Sequence, residues 1–270
     1  MKTLVLVQAR VGSTRLPGKV LLPVAGAPLL RRMLERVRGA RTPFELAVAT
    51  TTDAEDEAIV SLCRRMDVRC FRGHPSDLLD RHYRAAAEAR ADVVVKIPSD
   101  CPLIDAGVID RVLGLYREDT GRYDFVSNLH PATYPDGNDV EVVSFAALET
   151  AWRQATRALE REHTTPFVWD QPERFRIGNV RWETGRDFSM THRFTVDYRD
   201  DYLFVTGVYE ALWSQTRPLF DLSDILRLVG EHPELLELNA RFAGVNWYRH
   251  HLDELRTVQQ SETRSPEVGR

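Results

Sequence analysis

The chain opens on an unbroken apolar run, Leu4-Val5-Leu6-Val7, which reads as a short strand buried on both faces. A loop containing Gly and Pro follows, from Ala9 to about Gly26, and Pro28 then opens a helix with Leu30, Met33, Leu34 and Val37 on one face. Residues 44–49 read as a second strand. Asp53 reads as the cap of a helix carrying Ala58, Ile59, Leu62, Cys63 and Met66 at helical spacing. Residues 68–71 form a third strand and 76–89 a helix, and residues 92–97, with Val93, Val94 and Val95, form a fourth strand. After the loop Pro98-Ser99-Asp100-Cys101-Pro102, Asp105 caps a helix bearing Ile109, Val112, Leu113 and Tyr116. Strand and helix alternate to about residue 128. This predicts an α/β fold with a mostly parallel, Rossmann-like sheet and helices on both faces. In such sheets ligands bind at the carboxyl ends of the strands, where the loops holding Gly and Asp lie.

The second half is more mixed. Residues 140–145, 175–182 and 192–196 read as strands, and 146–157, 161–170 and 200–213 as helices. One domain over residues 1–257 is expected, with residues 130–200 as a smaller mixed α+β region. Residues 258–270 are polar and poor in apolar anchors, and read as a frayed tail.

Composition narrows the class. Hydrophobic residues make up 43% of the 270 and charged residues 28%, ordinary for a soluble globular protein. A formal net charge of −4 supplies no global pull toward nucleic acid or anionic membrane. No apolar run approaches the roughly 20 residues of a membrane span, and the N-terminus lacks a signal-peptide pattern. Cys63, Cys70 and Cys101 match no metal or redox spacing, so reduced thiols in a cytoplasmic protein are expected, with Cys63 as core filler.

Candidate chemistry begins in the first loop, Gln8-Ala9-Arg10-Val11-Gly12-Ser13-Thr14-Arg15-Leu16-Pro17-Gly18-Lys19. Gly12 and Gly18 permit backbone geometries that expose N–H groups, and Ser13 and Thr14 add hydroxyl donors. Arg10, Arg15 and Lys19 place three positive charges beside them, a set suited to a triphosphate. An ordinary basic surface loop is the competing reading. The glycines fit neither the P-loop nor the dinucleotide register, which disfavours a kinase and a nicotinamide oxidoreductase.

The stretch Gln8 to Lys19 resembles the signature of the CMP-sugar synthetases, such as the CMP-KDO and CMP-sialic acid enzymes. The chain is more closely similar to the cytidylyltransferases of the spore-coat polysaccharide type. That resemblance runs through Ala49-Thr50-Thr51-Thr52-Asp53, Phe71-Arg72-Gly73, Asp77-Leu78-Leu79-Asp80-Arg81 and Asp100-Cys101-Pro102-Leu103-Ile104-Asp105. It continues in Tyr134-Pro135-Asp136-Gly137, Asp139-Val140-Glu141-Val142, Arg161-Glu162-His163 and His192 to Tyr202, covering most of residues 1–240. The resemblance implies a nucleotide-diphospho-sugar transferase (GT-A-like) sheet and an acceptor-binding and dimerisation subregion over about residues 130–200.

It further implies a catalytic magnesium ion on Asp100 and Asp197, although each aspartate alone equally reads as a turn or helix-capping residue. Arg10, Lys19 and the backbone around Gly12 would hold the triphosphate of CTP. Gln8, Ala9, Arg72, Asp80 and Ser99 are candidates near cytosine and ribose, with Arg72 also readable as a plain surface cation and Asp80-Arg81 as a helix pair. Tyr134, Asp136, Asp139, Glu141, Glu162, His163 and His192 are acceptor-side candidates. Asp139 and Glu141 share a strand face and also read as plain charges, and a lone histidine also reads as structural. Two departures weaken cytosine selectivity: Pro98-Ser99 stands where the family shows Thr-Gly or Gln-Gly, and Lys96 where arginine is frequent.

The reaction expected is attack of an acceptor oxygen on the α-phosphorus of CTP with pyrophosphate leaving, Arg10, Lys19 and Asp100 being the catalytic candidates. The acceptor is a sugar, a sugar acid or a small anionic compound. A glycosyltransferase using a preformed nucleotide-sugar and a non-catalytic nucleotide binder are the alternatives. A homodimer through residues 130–200 is also expected, with Trp152, Phe167, Trp169 and Trp182 as anchors or core.

Overall fold

Alternation of the side chains of the first strand between two hydrophobic cores sets the architecture: Val5 and Val7 face one core, Leu4 and Leu6 the other. The computed structural model describes residues 1–119 and 121–266. Its strands are β1 (Thr3–Gln8), β2 (Pro23–Val24), β3 (Ala27–Pro28), β4 (Glu45–Thr51), β5 (Arg69–Gly73), β6 (Val93–Pro98), β7 (Phe125–Ser127), β8 (Glu141–Ser144) and β9 (Ile177–Asn179). β2 and β3 make a small antiparallel hairpin. The other strands form one seven-stranded sheet in the order β5-β4-β1-β6-β8-β7-β9. The four from β5 to β6 pair in parallel, while β8 runs antiparallel to both β6 and β7.

From β1 the chain moves outward to β4 and β5, then crosses back to the other side of β1 with β6. The switch of direction opens a crevice beyond Gln8 and Pro98, the carboxyl ends of β1 and β6.

The helices are α1 (Leu29–Val37), α2 (Glu57–Arg65), α3 (Leu78–Ala89), α4 (Ala106–Glu118), α5 (Phe145–Gln154), α6 (Ala158–His163), α7 (Pro166–Trp169), α8 (Arg199–Leu212), α9 (Leu222–Glu231) and α10 (Glu234–Glu237). Those packed on the Val5 face include α1, α2, α4, α8 and α9. The Leu4 face carries α3, α5, α6 and α7. Asp105 caps α4 as expected, accepting from the N–H groups of Gly107 and Val108 at 2.7 and 3.1 Å. Cys63 packs in the first core, and all three cysteines are free thiols.

Several sequence expectations are corrected. The helix expected over 161–170 is two short ones, because Thr164 at φ 75° breaks the run and Pro166 opens the next. Residues 192–196 are extended but make only one bridge, between Asp136 and Arg193. Gly137, at φ 99°, permits it: a Cβ there would lie 2.6 Å from the carbonyl carbon of Phe194. Asp53 makes no side-chain cap. By contrast, Phe167, Trp169 and Trp182 bear out the core reading: they are buried in the chain's own cores.

The expected tail is also different. Leu255 and Val258 are buried in the second core, worth about 1.5–3 kcal/mol for each fully buried side chain. Asp170, which is fully buried, accepts from the N–H groups of Arg256 and Thr257 and the Thr257 hydroxyl at 2.8–3.0 Å. These anchors hold residues 255–257 ahead of the segment read as a tail; within that segment Val258 and Thr263 are buried and the Arg264 N–H donates to the Gly244 carbonyl at 2.8 Å. Residues 267–270 of that expected tail lie outside the described residues. Among the described residues no helix is long and apolar enough to cross a membrane.

Candidate active site

The first loop is pinned at its base. The Val11 N–H donates to buried Asp56 at 2.7 Å, and Asp56 also accepts from the Thr51 hydroxyl and N–H. The Ser13 and Gly18 N–H groups both donate to the Val11 carbonyl. Gly18, at φ 70°, turns the chain into a short 3-10 turn, Lys19–Leu21, which carries the Lys19 side chain inward.

Lys19 is only 8% exposed. Its ammonium donates to the Val196 carbonyl at 2.6 Å, to Asp197 at 2.9 Å and to Asp100 at 3.3 Å. Burial works against the charged form, but Asp100 and Asp197 outweigh it and raise the lysine above its ordinary pKa. Asp197 resists burial in turn. Lys19, Arg15 at 2.6 Å and Arg193 at 3.1 Å hold its pKa down to about 2. The Val196 N–H and Thr195 hydroxyl both donate to the Asp100 carbonyl, at 2.7 and 3.0 Å. Carboxylates 97 positions apart in sequence are thus brought onto one ammonium.

Behind them Arg193, 1% exposed, donates to Asp201, Asp136 and Asp197 and to the Val245 carbonyl. Asp201 is fully buried and also accepts from the N–H groups of Asp197 and Tyr198. Nearby carboxylates, Asp136 foremost, keep the Arg193 guanidinium charged against the penalty of burial.

These groups border a cavity of about 530 Å³. Gln8, Ala9, Arg10, Ser13, Thr14, Arg15, Lys19, Ser99, Asp100 and Asp197 line it. So do Tyr134, Asp136, Asp139, Glu141, Glu162 and His163 from the acceptor-side set. Four candidates are not among its lining residues. Gly12 backs onto Glu55, 2.7 Å from where a Cβ would lie. Arg72 spends its donors on the Thr51, Thr52 and Asp53 carbonyls and on Glu57. Asp80 accepts from Trp152 and Arg84. His192 stacks on Phe188 with ring centroids 4.0 Å apart.

On the acceptor side, Lys96 is paired with Glu141, which also accepts from the Thr165 hydroxyl at 2.5 Å. His163 stacks on Trp247 at 3.7 Å. Burial, helped by Lys96, lowers its pKa to about 3, so its imidazole is neutral. Burial and the neighbouring carboxylates Asp100 and Glu141 raise Asp139 to about 7. The folded state then holds a proton that an unfolded aspartate, near pKa 3.8, has released. Stability from this group falls as pH rises from about 4 to 7, since the native state binds more protons across that interval. Asp139→Asn is expected to flatten this part of the stability profile, read as urea unfolding free energies at pH 5 and pH 7. An unchanged difference between the two pH values contradicts the assignment.

Sequence reasoning missed Arg193, Thr195, Thr165, Trp247, Tyr248 and Glu262. Arg193 carried one signal, a charge set directly before the apolar Phe194 in a run read as a buried strand. Trp247, Tyr248 and Glu262 carried none, since no motif leads to them.

An α/β sheet whose switch-point crevice holds a basic Gly-containing loop opposite two convergent aspartates defines a nucleotidyltransferase. A family model described as cytidylyltransferase matches residues 4–237. The chain belongs to that family, whose members transfer CMP from CTP to an acceptor. A cytidylyltransferase structure from Leptospira borgpetersenii superposes with a TM-score of 0.82 at 32% identity, covering 87% of this chain and 97% of that one. An uncharacterised protein of Methanocaldococcus jannaschii is 38% identical over 177 residues, 66% of this chain and 71% of its own length. The spore coat polysaccharide biosynthesis protein SpsF of Bacillus subtilis is 28% identical over 236 residues, 86% of this chain and 95% of its own.

Proposed function

We propose that the protein transfers CMP from magnesium-bound CTP to a hydroxyl of a sugar or sugar acid, releasing pyrophosphate. The observation that carries this reading is the convergence of Lys19, Asp100 and Asp197 beside the first loop. The part of the Bacillus relative in spore coat polysaccharide biosynthesis supports a carbohydrate acceptor.

The donor set suits magnesium. Asp100 and Asp197 are hard oxygen ligands held close by their shared ammonium. Two carboxylates match what magnesium takes when phosphate oxygens and water complete its shell. Among the described residues no group of three His, Cys, Asp or Glu side chains could hold a metal by itself. When bound, the ion would polarise the α-phosphate and lower the pKa of the attacking hydroxyl.

This chain's residues do the rest. Arg10 and Arg15, on the loop at the end of β1, would bind the β- and γ-phosphates, with the Ser13 and Thr14 hydroxyls as further donors. Lys19 would pass from the aspartates to the leaving pyrophosphate, offsetting charge as the bond to the α-phosphorus breaks. Gln8 Oε1 is buried without a partner; that oxygen would accept from the cytosine amino group. The hydroxyl proton would leave to solvent or to Asp139, the lining carboxylate with a pKa near neutrality.

The test is pyrophosphate release from CTP, UTP, GTP and ATP with magnesium against a panel of sugars and sugar acids. CTP is expected to be preferred. Release of a nucleoside diphosphate from a nucleotide-sugar would instead support the glycosyltransferase reading. Tight CTP binding without turnover on any acceptor would favour a non-catalytic binder.

A further inference from the structure

The cytidylyltransferase match ends at residue 237, yet the wall of the cavity continues past it. Residues 244–249, together with Ser261 and Glu262, line the site. Two arms form this strap and are tied to one another: the Asn246 amide donates to the Glu262 carbonyl at 2.9 Å, and the Arg264 N–H to the Gly244 carbonyl at 2.8 Å. Arg193 fastens the first arm to the aspartate cluster through the Val245 carbonyl at 2.8 Å.

The strap's position across the sheet decides which substrate it meets. The basic loop follows β1, Asp100 follows β6, and Glu141 opens β8, the next strand over. Trp247 lies on the β8 side, stacked on His163 with ring planes 12° apart, two residues before the Thr165 that bonds Glu141. Trp247 therefore stands at the β8 side of the cavity, while Val245 sits on Arg193 beside the aspartates.

Resting on the cytidylyltransferase reading, we propose that this strap selects the acceptor. Trp247, backed by the neutral imidazole of His163, is a flat apolar platform for the C–H face of a saccharide ring. Glu162 and Glu262 also line the cavity; Glu262 gives one oxygen to the Gln259 N–H at 2.6 Å, and the acceptor oxygens left over read the hydroxyl or amino donors around that ring. Lys96 is already paired with Glu141, so the cation that would meet a sugar-acid carboxylate is the strap's own Arg249, which lines the cavity and donates to the Asn246 carbonyl. Acceptor choice in this chain then rests in part on residues outside the part matched to the family.

The experiment is calorimetric titration of CMP, CMP-N-acetylneuraminate and CMP-3-deoxy-manno-octulosonate into the full chain and into Trp247→Ala and Glu262→Gln. The wild type is expected to bind at least one cytidylyl sugar roughly tenfold more tightly than CMP, the scale of one well-placed ring contact. Trp247→Ala is expected to erase that increment and leave CMP affinity unchanged. Glu262→Gln, the milder variant, is expected to reduce it, and serves if Trp247→Ala does not fold. Equal binding of CMP and both sugars by the wild type overturns the proposal. So does an increment that survives the substitutions, or a variant that loses CMP and sugar affinity in equal measure. A wild type that binds no CMP at all overturns the cytidylyl reading itself, a result distinct from the others.

Discussion

Lys19→Ala is expected to lower turnover by roughly two to three orders of magnitude, the scale of removing one preorganised contact to developing charge. The side chain is buried, and its ammonium touches three oxygens on two segments, Asp100 and Val196-Asp197. Arg10 and Arg15 cannot take over. Arg10 is exposed at the loop surface, and Arg15 already pairs with Asp197. The loss should fall on kcat, because charge on the leaving pyrophosphate grows only as the bond breaks. Removing the ammonium also frees Asp100 and Asp197 from their shared cation. Manganese titrated alone and followed by electron paramagnetic resonance is therefore expected to bind the variant more tightly than the wild type. Wild-type turnover in a correctly folded Lys19→Ala protein would take Lys19 out of the mechanism.

Arg193→Met is expected to destabilise the fold by about 3–5 kcal/mol, the range for stripping one partner from a buried ion cluster. Asp201 would be left fully buried without its guanidinium, and Asp136 and Asp197 would lose a neighbouring cation. The Val245 carbonyl would lose its donor as well, loosening the strap. Urea unfolding midpoints of the two proteins measure the effect. A shift worth less than about 1 kcal/mol, the usual range for exposed pairs, would mean that the cluster contributes no more than surface charges do. Since Asp197 depends on Arg193 for position, lower activity is expected even below the unfolding midpoint.

The Rossmann-like half was legible because its signals are local. Buried parallel strands read as unbroken apolar runs, as in Leu4 to Val7 and Val93 to Val95, and both lie at the centre of the sheet. Asp105 capped the helix it was expected to cap. Even α9, which was not read, carries Leu222, Ile225, Leu228 and Val229 at helical spacing behind the Asp221 cap, so its signal was present. Residues 161–170 misled because Pro166 opens α7 just as it would continue an amphipathic stretch.

The sequence by itself determined the class of fold, the basic loop with its glycines, and which aspartates to consider. Strand period, turn chemistry and charge content are properties of a few neighbouring residues, and a chain written in order displays them. Only the tertiary structure decided that Lys19 bridges Asp100 and Asp197, that Arg72 and Asp80 are absorbed by neighbouring carbonyls and side chains, and that residues 244–249 with Ser261 and Glu262 wall the cavity. Those outcomes depend on contacts between residues as far apart as 19 and 197 or 163 and 247. A long-range contact is selected by burial and by pairing of charges across the whole chain, and spacing along the sequence carries no record of it.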